Sequence, residues 1–256
     1  YSIFYFLELL STFSSSHHII NPINETTSDV LLVKNYIKEP KGTIVDVGGN
    51  MGVWMLKCKQ FTNNNFMAYE PEPTLYKTYC KNIEENNISN IDSKMIAIGD
   101  QEGSLHFRTS INGWTVLNDY DKNHKDVIEI KQNTLDNELK DVNDVSFIKI
   151  DVEGHESYVL DGAIDIIKKH KPNLMVEIHP QQLIDRGRSA SYVYNQLSSN
   201  YSNIDLFIDK KAYKSKIQRV LNRYSRSLQF EKITPFQLKD FSNNVNAPTQ
   251  IYSICY

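Results

Sequence analysis

Short apolar runs alternate with amphipathic stretches from residue 41 onward, and this alternation constrains the fold more than any other feature of the chain. Five runs carry the pattern: "GTIVDVG", "FMAYEP", "SKMIAIGD", "VSFIKIDVEG" and "NLMVEIHP". Strand-like runs separated by helical patterns are typical of βαβ units, whose strands pair in parallel. We therefore predict an α/β fold with a mostly parallel sheet. The 256 residues suffice for one such domain.

Two apolar stripes at helical spacing lie between these runs and predict core-facing helices. They consist of Leu75, Tyr79 and Ile83 and of Leu160, Ile164 and Ile167. Two further stretches, "GSLHFRTS" and "DVIEIKQNT", indicate extra strands around a polar loop at residues 110–125. Trp114 in this loop suits either stacking on a ligand or packing inside a lid.

Acidic residues stand at or beside the ends of four of the five runs. These residues are Asp46, Glu70, Asp151 and Glu177. In an open α/β sheet, the ligand lies in the crevice at the carboxyl ends of the strands. We therefore expect the four carboxylates to face one crevice.

The stretch "IVDVGGNMG", residues 44–52, runs from an apolar strand into a glycine-rich turn. Glycine has no Cβ, so such a turn allows the backbone to approach a ligand closely. The glycine spacing matches neither the dinucleotide fingerprint G-x-G-x-x-G nor the phosphate-binding loop G-x-x-x-x-G-K-[ST]. This mismatch argues against a dinucleotide oxidoreductase. A tight strand-to-helix turn without a ligand stays open as the alternative.

Two carboxylates near the turn indicate which ligand would fit. Asp46 would repel a bound pyrophosphate and attract a cationic ligand. Glu70, at the end of the next run, would accept both hydroxyls of an adenosine ribose. S-adenosylmethionine has the adenosyl group, two cationic centres and no phosphate, so the combination favours this cofactor.

The charge balance and the apolar segments limit the classes of partner. A formal net charge of -3 and a pI near 6.2 give no general attraction toward nucleic acid or anionic lipid. The first run, "YSIFYFLELL", is half the length of a bilayer span and lacks signal-peptide flanks. We therefore expect no membrane span and a cytoplasmic location. The chain begins at Tyr1 rather than methionine, which leaves open whether it belongs to a longer multidomain protein.

Charged side chains alternate in the last two apolar runs. Lys149, Asp151 and Glu153 do so in the fourth run, and Glu177 and His179 do so in the fifth. Residues two apart in a strand project to the same side. We therefore expect one cluster of three acids, a lysine and an imidazole.

Three interpretations of this cluster stay open. In the first, Asp151 is a general base or a clamp for the acceptor, His179 or His155 shares the proton, and Lys149 tunes the carboxylate. In the second, Asp151, Glu177 and His179 bind a magnesium-like ion. In the third, the cluster is a salt-bridge network that caps strand ends. His155 falls where a helix would begin, a place where exposed histidines are common.

Five blocks in order resemble the FkbM-type S-adenosylmethionine-dependent methyltransferases, over roughly residues 41–180. The blocks are "DVGGNMG", "YEPEP", "AIGDQEG", "TLD" at 134–136, and "IKIDVEGHE" followed by "VLDGA". The last block is the most specific, because the family's marker is a K-I-D-x-E-G-x-E string followed by L-x-G-A.

The resemblance implies the fold of a Rossmann-like class I methyltransferase. Its sheet would have seven strands, mostly parallel, with the last strand antiparallel and helices on both faces. Residues 41–256 would form the methyltransferase domain, closed by strands near 203–209 and 249–256. Residues 1–40 would form an N-terminal arm and a helix, with a cap as one option.

The resemblance also implies a site for S-adenosylmethionine, with S-adenosylhomocysteine as the product. The glycine loop would cradle the methionine part, Glu70 would hold the ribose, and Ala97 and Ile98 would border the adenine. The residues expected at the cofactor are Asp46, Gly48, Gly49, Asn50, Gly52, Glu70, Pro71, Ala97 and Ile98.

Members of this family mostly methylate hydroxyl oxygens, often on sugars. We therefore predict in-line methyl transfer to a small-molecule or glycan acceptor, with a divalent cation such as Mg²⁺ as an optional cofactor. The expected catalytic residues are Lys149, Asp151, His155, Glu177 and His179. One alternative is a nucleic-acid 2′-O-methyltransferase, although Glu177 stands where the second lysine of the K-D-K-E tetrad is expected. The other alternative is a non-catalytic domain that binds an adenosyl ligand.

Overall fold

In the computed structural model, the described residues are 28–37, 42–110, 113–116, 127–209, 230–241 and 250–256. They contain twelve strands: β1 Thr43–Val47, β2 Asn65–Tyr69, β3 Ile91–Lys94, β4 Ala97–Ile98, β5 Gly103–Ser110, β6 Gly113–Val116, β7 Val127–Asn133, β8 Val145–Ile150, β9 Asn173–Ile178, β10 Ile204–Asp209, β11 Phe230–Ile233 and β12 Ile251–Cys255. They also contain nine helices: α1 Ser28–Val33, α2 Val53–Cys58, α3 Pro73–Glu85, α4 Leu135–Glu138, α5 Glu156–Asp161, α6 Ile164–His170, α7 Pro180–Asp185, α8 Ala190–Ser198 and α9 Pro235–Phe241.

Eight of the described strands form the main sheet, in the order β11-β10-β12-β9-β8-β1-β2-β3. The five strands from β9 to β3 are parallel, and β12 runs antiparallel to both of its neighbours. The predicted fold class is confirmed, including the antiparallel closing strand. The sheet has one strand more than the predicted seven, because residues 230–233 pair with β10.

The central strands are apolar runs because both faces of the sheet are covered. All five residues of β1 are buried. Val45 and Val47 belong to the core on one face, whereas Ile44 packs with Trp54 and Phe147 on the other face. This alternation follows from the two-residue period of a strand.

The predicted third strand, "SKMIAIGD", divides between two sheets. Residues 91–94 form β3 at the edge of the main sheet, whereas Ala97 and Ile98 form β4 of a separate four-stranded sheet. In that sheet β4 pairs with β7, and the two predicted extra strands form β5 and β7. Trp114 lies in β6, opposite Thr109 of β5, whereas residues 111–112 and 117–125 of the predicted loop lie outside the described residues.

The second predicted helical stripe is not one helix, because the chain breaks at Gly162 between α5 and α6. A Cβ on Gly162 would lie 2.0 Å from the carbonyl oxygen of Gly99, so this position packs directly on another backbone. The carboxylate of Asp136 then accepts backbone N–H bonds from Asp165 and Ile166 and caps α6. Ile164, expected in the core, is consequently 41% exposed.

Part of the predicted N-terminal arm packs on the main sheet. Val30, Val33 and Ile37 are buried in the same apolar cluster as Trp54. The side-chain amide of Asn173 donates a hydrogen bond of 2.7 Å to the carbonyl oxygen of Tyr36. Among the described residues, no helix has the length and apolar character needed to cross a membrane.

Candidate functional site

A cleft lies at the carboxyl ends of β1, β2 and β8, where the crevice was expected. Eight of the predicted site residues line it: Gly48, Asn50, Glu70, Pro71, Ala97, Ile98, Asp151 and His155. The other six predicted residues lie behind this lining or beside it: Asp46, Gly49, Gly52, Lys149, Glu177 and His179.

The glycine turn passes directly over the end of β8. Gly48 has a φ of 80°, and a Cβ on this residue would lie 1.8 Å from the carbonyl oxygen of Asp151. The N–H groups of Gly48 and Gly49 both donate to the carbonyl oxygen of Tyr69, at 2.9 and 3.0 Å. These contacts hold the turn, which connects β1 to α2, against the ends of β2 and β8. The turn therefore forms the floor of the cleft.

Glu70 is held at the wall of the cleft by two backbone donors. Its Oε2 accepts from the N–H of Asn50 at 2.7 Å, and its Oε1 accepts from the N–H of Glu72 at 2.9 Å. Burial raises the pKa of Glu70 to about 7 despite these two hydrogen bonds. Each carboxylate oxygen keeps acceptor capacity. The group therefore fits the two hydroxyls of a ribose.

An apolar wall faces the glycine turn. It is formed by Leu75, Ile96, Ala97, Ile98 and Leu105. A flat aromatic base binds well against side chains of this kind. Ala97 and Ile98, which were expected to border an adenine, therefore belong to the apolar part of the cleft.

A buried lysine joins the acidic ends of β1 and β8. The Nζ of Lys149 lies 3.2 Å from Asp46 Oδ1 and 3.4 Å from Asp151 Oδ2. It also lies 3.4 Å from the carbonyl oxygen of Gly48. Asp46 is fully buried and lies behind the cleft lining. Lys149 and Asp46 therefore stabilise the floor of the site.

His155 and Arg186 line the same end of the cleft as Asp151. His155 is buried rather than exposed, and its ring stacks on Tyr158 with centroids 4.5 Å apart. Burial, helped by the nearby Arg186, lowers the pKa of His155 to about 3. The imidazole is therefore neutral at physiological pH, so it is a hydrogen-bonding group and a weak base. Neither ring nitrogen has a hydrogen-bond partner among the described residues.

The second histidine, His179, sits in a ring of carboxylates beside Asp151. Its Nδ1 lies 2.7 Å from Glu156 Oε1, and its Nε2 lies 3.6 Å from Glu153 Oε2 and 3.7 Å from Glu177 Oε1. Burial alone would lower the pKa of His179, but the hydrogen bond and charge of Glu156, with the charges of Glu153 and Glu177, raise it to about 10. This imidazole therefore carries a proton near neutral pH.

The charged residues of this cluster do not alternate along one extended strand, as was expected. β8 ends at Ile150, and Glu153 and Gly154 have φ values of 49° and 93°. This tight turn brings Glu153 toward His179 and places Glu156 at the first turn of α5. The sequence marker contains Glu156, but the residue pattern does not indicate that Glu156 pairs with His179. No sequence signal indicates Arg186 as a cleft residue.

The cleft combines a largely apolar half and a charged half. Glu70, the glycine turn and the apolar wall form the first half. Asp151, Glu153 and Arg186 form the second half, which offers both acceptors and donors to a polar ligand. The basic tract at 210–219, which bears on the nucleic-acid alternative, lies outside the described residues.

Comparison with protein families matches residues 46–215 to the methyltransferase FkbM domain, which is more than half of the chain. "Methyltransferase 1" of Beauveria bassiana (strain ARSEF 2860) is 28% identical over 159 residues, which cover 53% of this chain and 64% of the fungal protein. The chain therefore spans less than two thirds of the length of this relative.

Two solved structures have a similar fold. Methyltransferase FkbM from Methylobacillus flagellatus KT has a TM-score of 0.47 at 18% identity, over 83% of this chain and 43% of that chain. Precorrin-6y C5,15-methyltransferase from Geobacter metallireducens GS-15 has a TM-score of 0.48 at 10% identity, over 96% of both chains. Because both scores are below 0.5, the family assignment rests on the sequence match, which covers the glycine turn, Glu70 and the Asp151 region. The chain belongs to the FkbM methyltransferase family.

Proposed function

We propose that the chain transfers the methyl group of S-adenosylmethionine to a hydroxyl oxygen, most suitably on a sugar or glycan. The observation that carries this proposal is the position of Glu70, which lines the cleft with its carboxylate fixed by two backbone N–H groups. The adjoining turn lacks the lysine of a phosphate-binding loop, and the opposite wall is apolar. These features together suit an adenosyl cofactor without phosphates.

The proposed chemistry is an in-line displacement at the methyl carbon. The acceptor oxygen forms a bond to that carbon, the carbon–sulfur bond breaks, and its electron pair stays on sulfur to give S-adenosylhomocysteine. The carboxylate of Asp151, which lines the cleft, takes the hydroxyl proton. Lys149 Nζ, 3.4 Å from Asp151 Oδ2, orients this carboxylate. A divalent cation beside Asp151 is a second way to activate the hydroxyl.

The two histidines support different roles in this scheme. His179 carries a proton that Glu156 stabilises, so it is not a proton acceptor in that state. His155 is neutral and lines the cleft, and both of its ring nitrogens are buried without a hydrogen-bond partner among the described residues, so we propose that one of them bonds to the acceptor when it binds. Arg186 adds a donor at the same end. A hydroxyl-rich ligand offers partners for all of these groups.

The cofactor half of the proposal is tested by calorimetric titration with S-adenosylhomocysteine. Glu70→Gln keeps the size of the side chain but removes the negative charge of the carboxylate, which would accept hydrogen bonds from two ribose hydroxyls. We expect its affinity to fall by about tenfold, since a hydrogen bond to a charged group contributes roughly 1.5–3 kcal/mol. The matched control is Glu102→Gln, because Glu102 is exposed. Equal affinities for the two variants would contradict the assigned role of Glu70.

The acceptor half is tested with methyl-labelled S-adenosylmethionine and a panel of free sugars and aryl glycosides. We expect label in a sugar ether and none with Asp151→Asn. Saturable cofactor binding without label in any acceptor would favour the non-catalytic adenosyl-binding alternative. Transfer to RNA that is lost with added salt would favour the nucleic-acid alternative.

A further inference from the structure

Three side chains beside the cleft are arranged as ligands of a cation. One carboxylate oxygen each from Asp151 and Glu177 and one ring nitrogen of His179 lie within 4.8 Å of one another. The side chain of His179 is 1% exposed, whereas that of Asp151 is 29% exposed and faces the cleft. The group is therefore closed on the protein side and open toward the ligand.

The orientation of His179 is fixed by a carboxylate that would not touch the cation. Glu156 is fully buried, and its Oε1 accepts from the N–H of Gly154 at 2.9 Å and pairs with His179 Nδ1 at 2.7 Å. This contact assigns a proton to Nδ1 and turns Nε2 toward the carboxylates of Glu153 and Glu177. Histidines that bind metals are held in this way, with the other ring nitrogen bonded to a carboxylate.

The Nε2 of His179 is buried and has no hydrogen-bond partner among the described residues. Its nearest carboxylates, on Glu153 and Glu177, lie at 3.6 and 3.7 Å, beyond hydrogen-bond length. A buried polar atom in this position is costly unless something binds it. A cation between Nε2 and the carboxylates would take the place of the proton on Nε2, which is released because a metal ligand must be deprotonated.

The negative charge around His179 also favours a bound cation. Four carboxylates converge here, on Asp151, Glu153, Glu156 and Glu177, and the described cations near them are His179, Lys149 and Arg186. Lys149 also pairs with Asp46, so its charge is shared. A six-coordinate Mg²⁺ binds oxygen ligands at about 2.0–2.1 Å, so opposite ligands lie about 4.0–4.2 Å apart. The three ligand atoms, which lie within 4.8 Å of one another, must therefore move inward to bind one ion.

We propose that Asp151, Glu177 and His179 bind one divalent cation of the Mg²⁺ or Mn²⁺ class, next to the oxygen that is methylated. Its catalytic role rests on the proposed function, whereas its binding does not. When bound, the cation polarises the acceptor hydroxyl, whose proton leaves to water before the oxygen attacks the methyl carbon. Asp151 then orients the acceptor through the cation, and its carboxylate is a ligand instead of a base.

The binding test is an electron paramagnetic resonance titration with Mn²⁺ on the full chain, in the absence of S-adenosylmethionine. We expect one Mn²⁺ per chain, displaced by Mg²⁺. Asp151→Asn and Glu177→Gln should each weaken binding by about tenfold or more. The matched control is Asp141→Asn, because Asp141 is exposed and is not one of these ligands. Circular dichroism and S-adenosylhomocysteine binding report whether each variant is folded.

Two results would overturn the cation site. One is no Mn²⁺ binding by the wild-type chain at about 1 mM. The other is equal Mn²⁺ affinity in the folded ligand variants and in Asp141→Asn. In either case the cluster is an ion-pair network around His179.

Measurements of ligand binding and methyl transfer on the wild-type chain distinguish the cation site from the proposed function. After treatment with a chelator, S-adenosylhomocysteine should still bind, and methyl transfer should fall and recover with Mg²⁺. Transfer at full rate in chelator would remove the catalytic role of the cation and leave the proposed function standing. Mn²⁺ binding without any binding of S-adenosylhomocysteine would keep the cation site and contradict the proposed function.

Discussion

At the scale of single residues, a buried ion pair decides whether a substitution tests cofactor binding alone or also lowers the stability of the protein. Asp46 and Lys149 form a buried pair at 3.2 Å. Removing one partner of such a pair leaves an uncompensated charge and costs roughly 3–5 kcal/mol of stability. Asp46→Ala is therefore expected to disturb the glycine turn as well as any cofactor contact. Glu70, whose neighbours are backbone N–H groups, is a cleaner probe of the cofactor site.

The raised pKa of Glu70 predicts that cofactor affinity depends on pH. With a pKa of about 7, Glu70 is mostly protonated at pH 6 and mostly charged at pH 8. The charged form accepts two ribose hydroxyls, so affinity for S-adenosylhomocysteine should rise with pH and level off above 8. The expected difference between pH 6 and pH 8 is up to about tenfold, measured by calorimetry.

The control for this pH effect is Glu70→Gln, which has no group titrating at this position. Its affinity should be nearly constant over the same range. A wild-type affinity that is equally flat would mean that the carboxyl of Glu70 does not titrate near pH 7 or does not touch the ligand.

At the scale of elements, the turn between β1 and α2 is constrained by contact as well as by conformation. Gly48 and Gly187 both have positive φ, 80° and 72°. A Cβ on Gly48 would collide with the carbonyl of Asp151, whereas a Cβ on Gly187 would meet nothing within 4 Å. Gly187→Ala should therefore cost about 1–2 kcal/mol from backbone strain alone. Gly48→Ala should cost at least about 2 kcal/mol more, because β8 must also shift.

Urea unfolding of the two glycine variants measures this difference. If Gly48→Ala is already unfolded without urea while Gly187→Ala is folded, the expected difference is present in its largest form. Equal losses of stability in the two variants would show that the turn does not press on β8.

The same elements show how far sequence reasoning reaches. The parallel strands were predictable because strands buried on both faces appear as continuous apolar runs, as in β1 and β9. The split of "SKMIAIGD" was not, since the apolar residues 95–98 give no sign that the chain moves there from one sheet to another. The pairing of Glu156 with His179 was not predictable either, because it depends on the left-handed turn at Glu153 and Gly154. Alternation along a strand gives no sign of such a turn.

At the scale of the whole molecule, α1 contributes to the core that supports the cleft. Val33 is fully buried in the cluster that also contains Trp54 and Phe147, and Trp54 in turn lies 5.6 Å from the Nζ of Lys149. The described part of the N-terminal region therefore belongs to the same apolar cluster as Trp54, which lies against the lysine in the floor of the site.

We expect Val33→Ala to lower the free energy of unfolding by about 2 kcal/mol, from lost burial and a residual cavity. Asn35→Ala, at an exposed position of the same segment, should change it by less than about 0.5 kcal/mol. The measurement is equilibrium unfolding in urea. Similar values for the two variants would mean that this segment does not stabilise the sheet.

The position of β12 has a consequence for how the chain folds during synthesis. β12 follows all the other described strands in the sequence, yet it lies between β9 and β10 and connects the β10–β11 pair to the rest of the sheet. While the ribosome still holds residues 251–255, β9 has an open edge of unpaired N–H and C=O groups, and the β10–β11 pair is not yet joined to the sheet. Such an edge pairs readily with other chains. The main sheet is therefore completed only after residues 251–255 have been made.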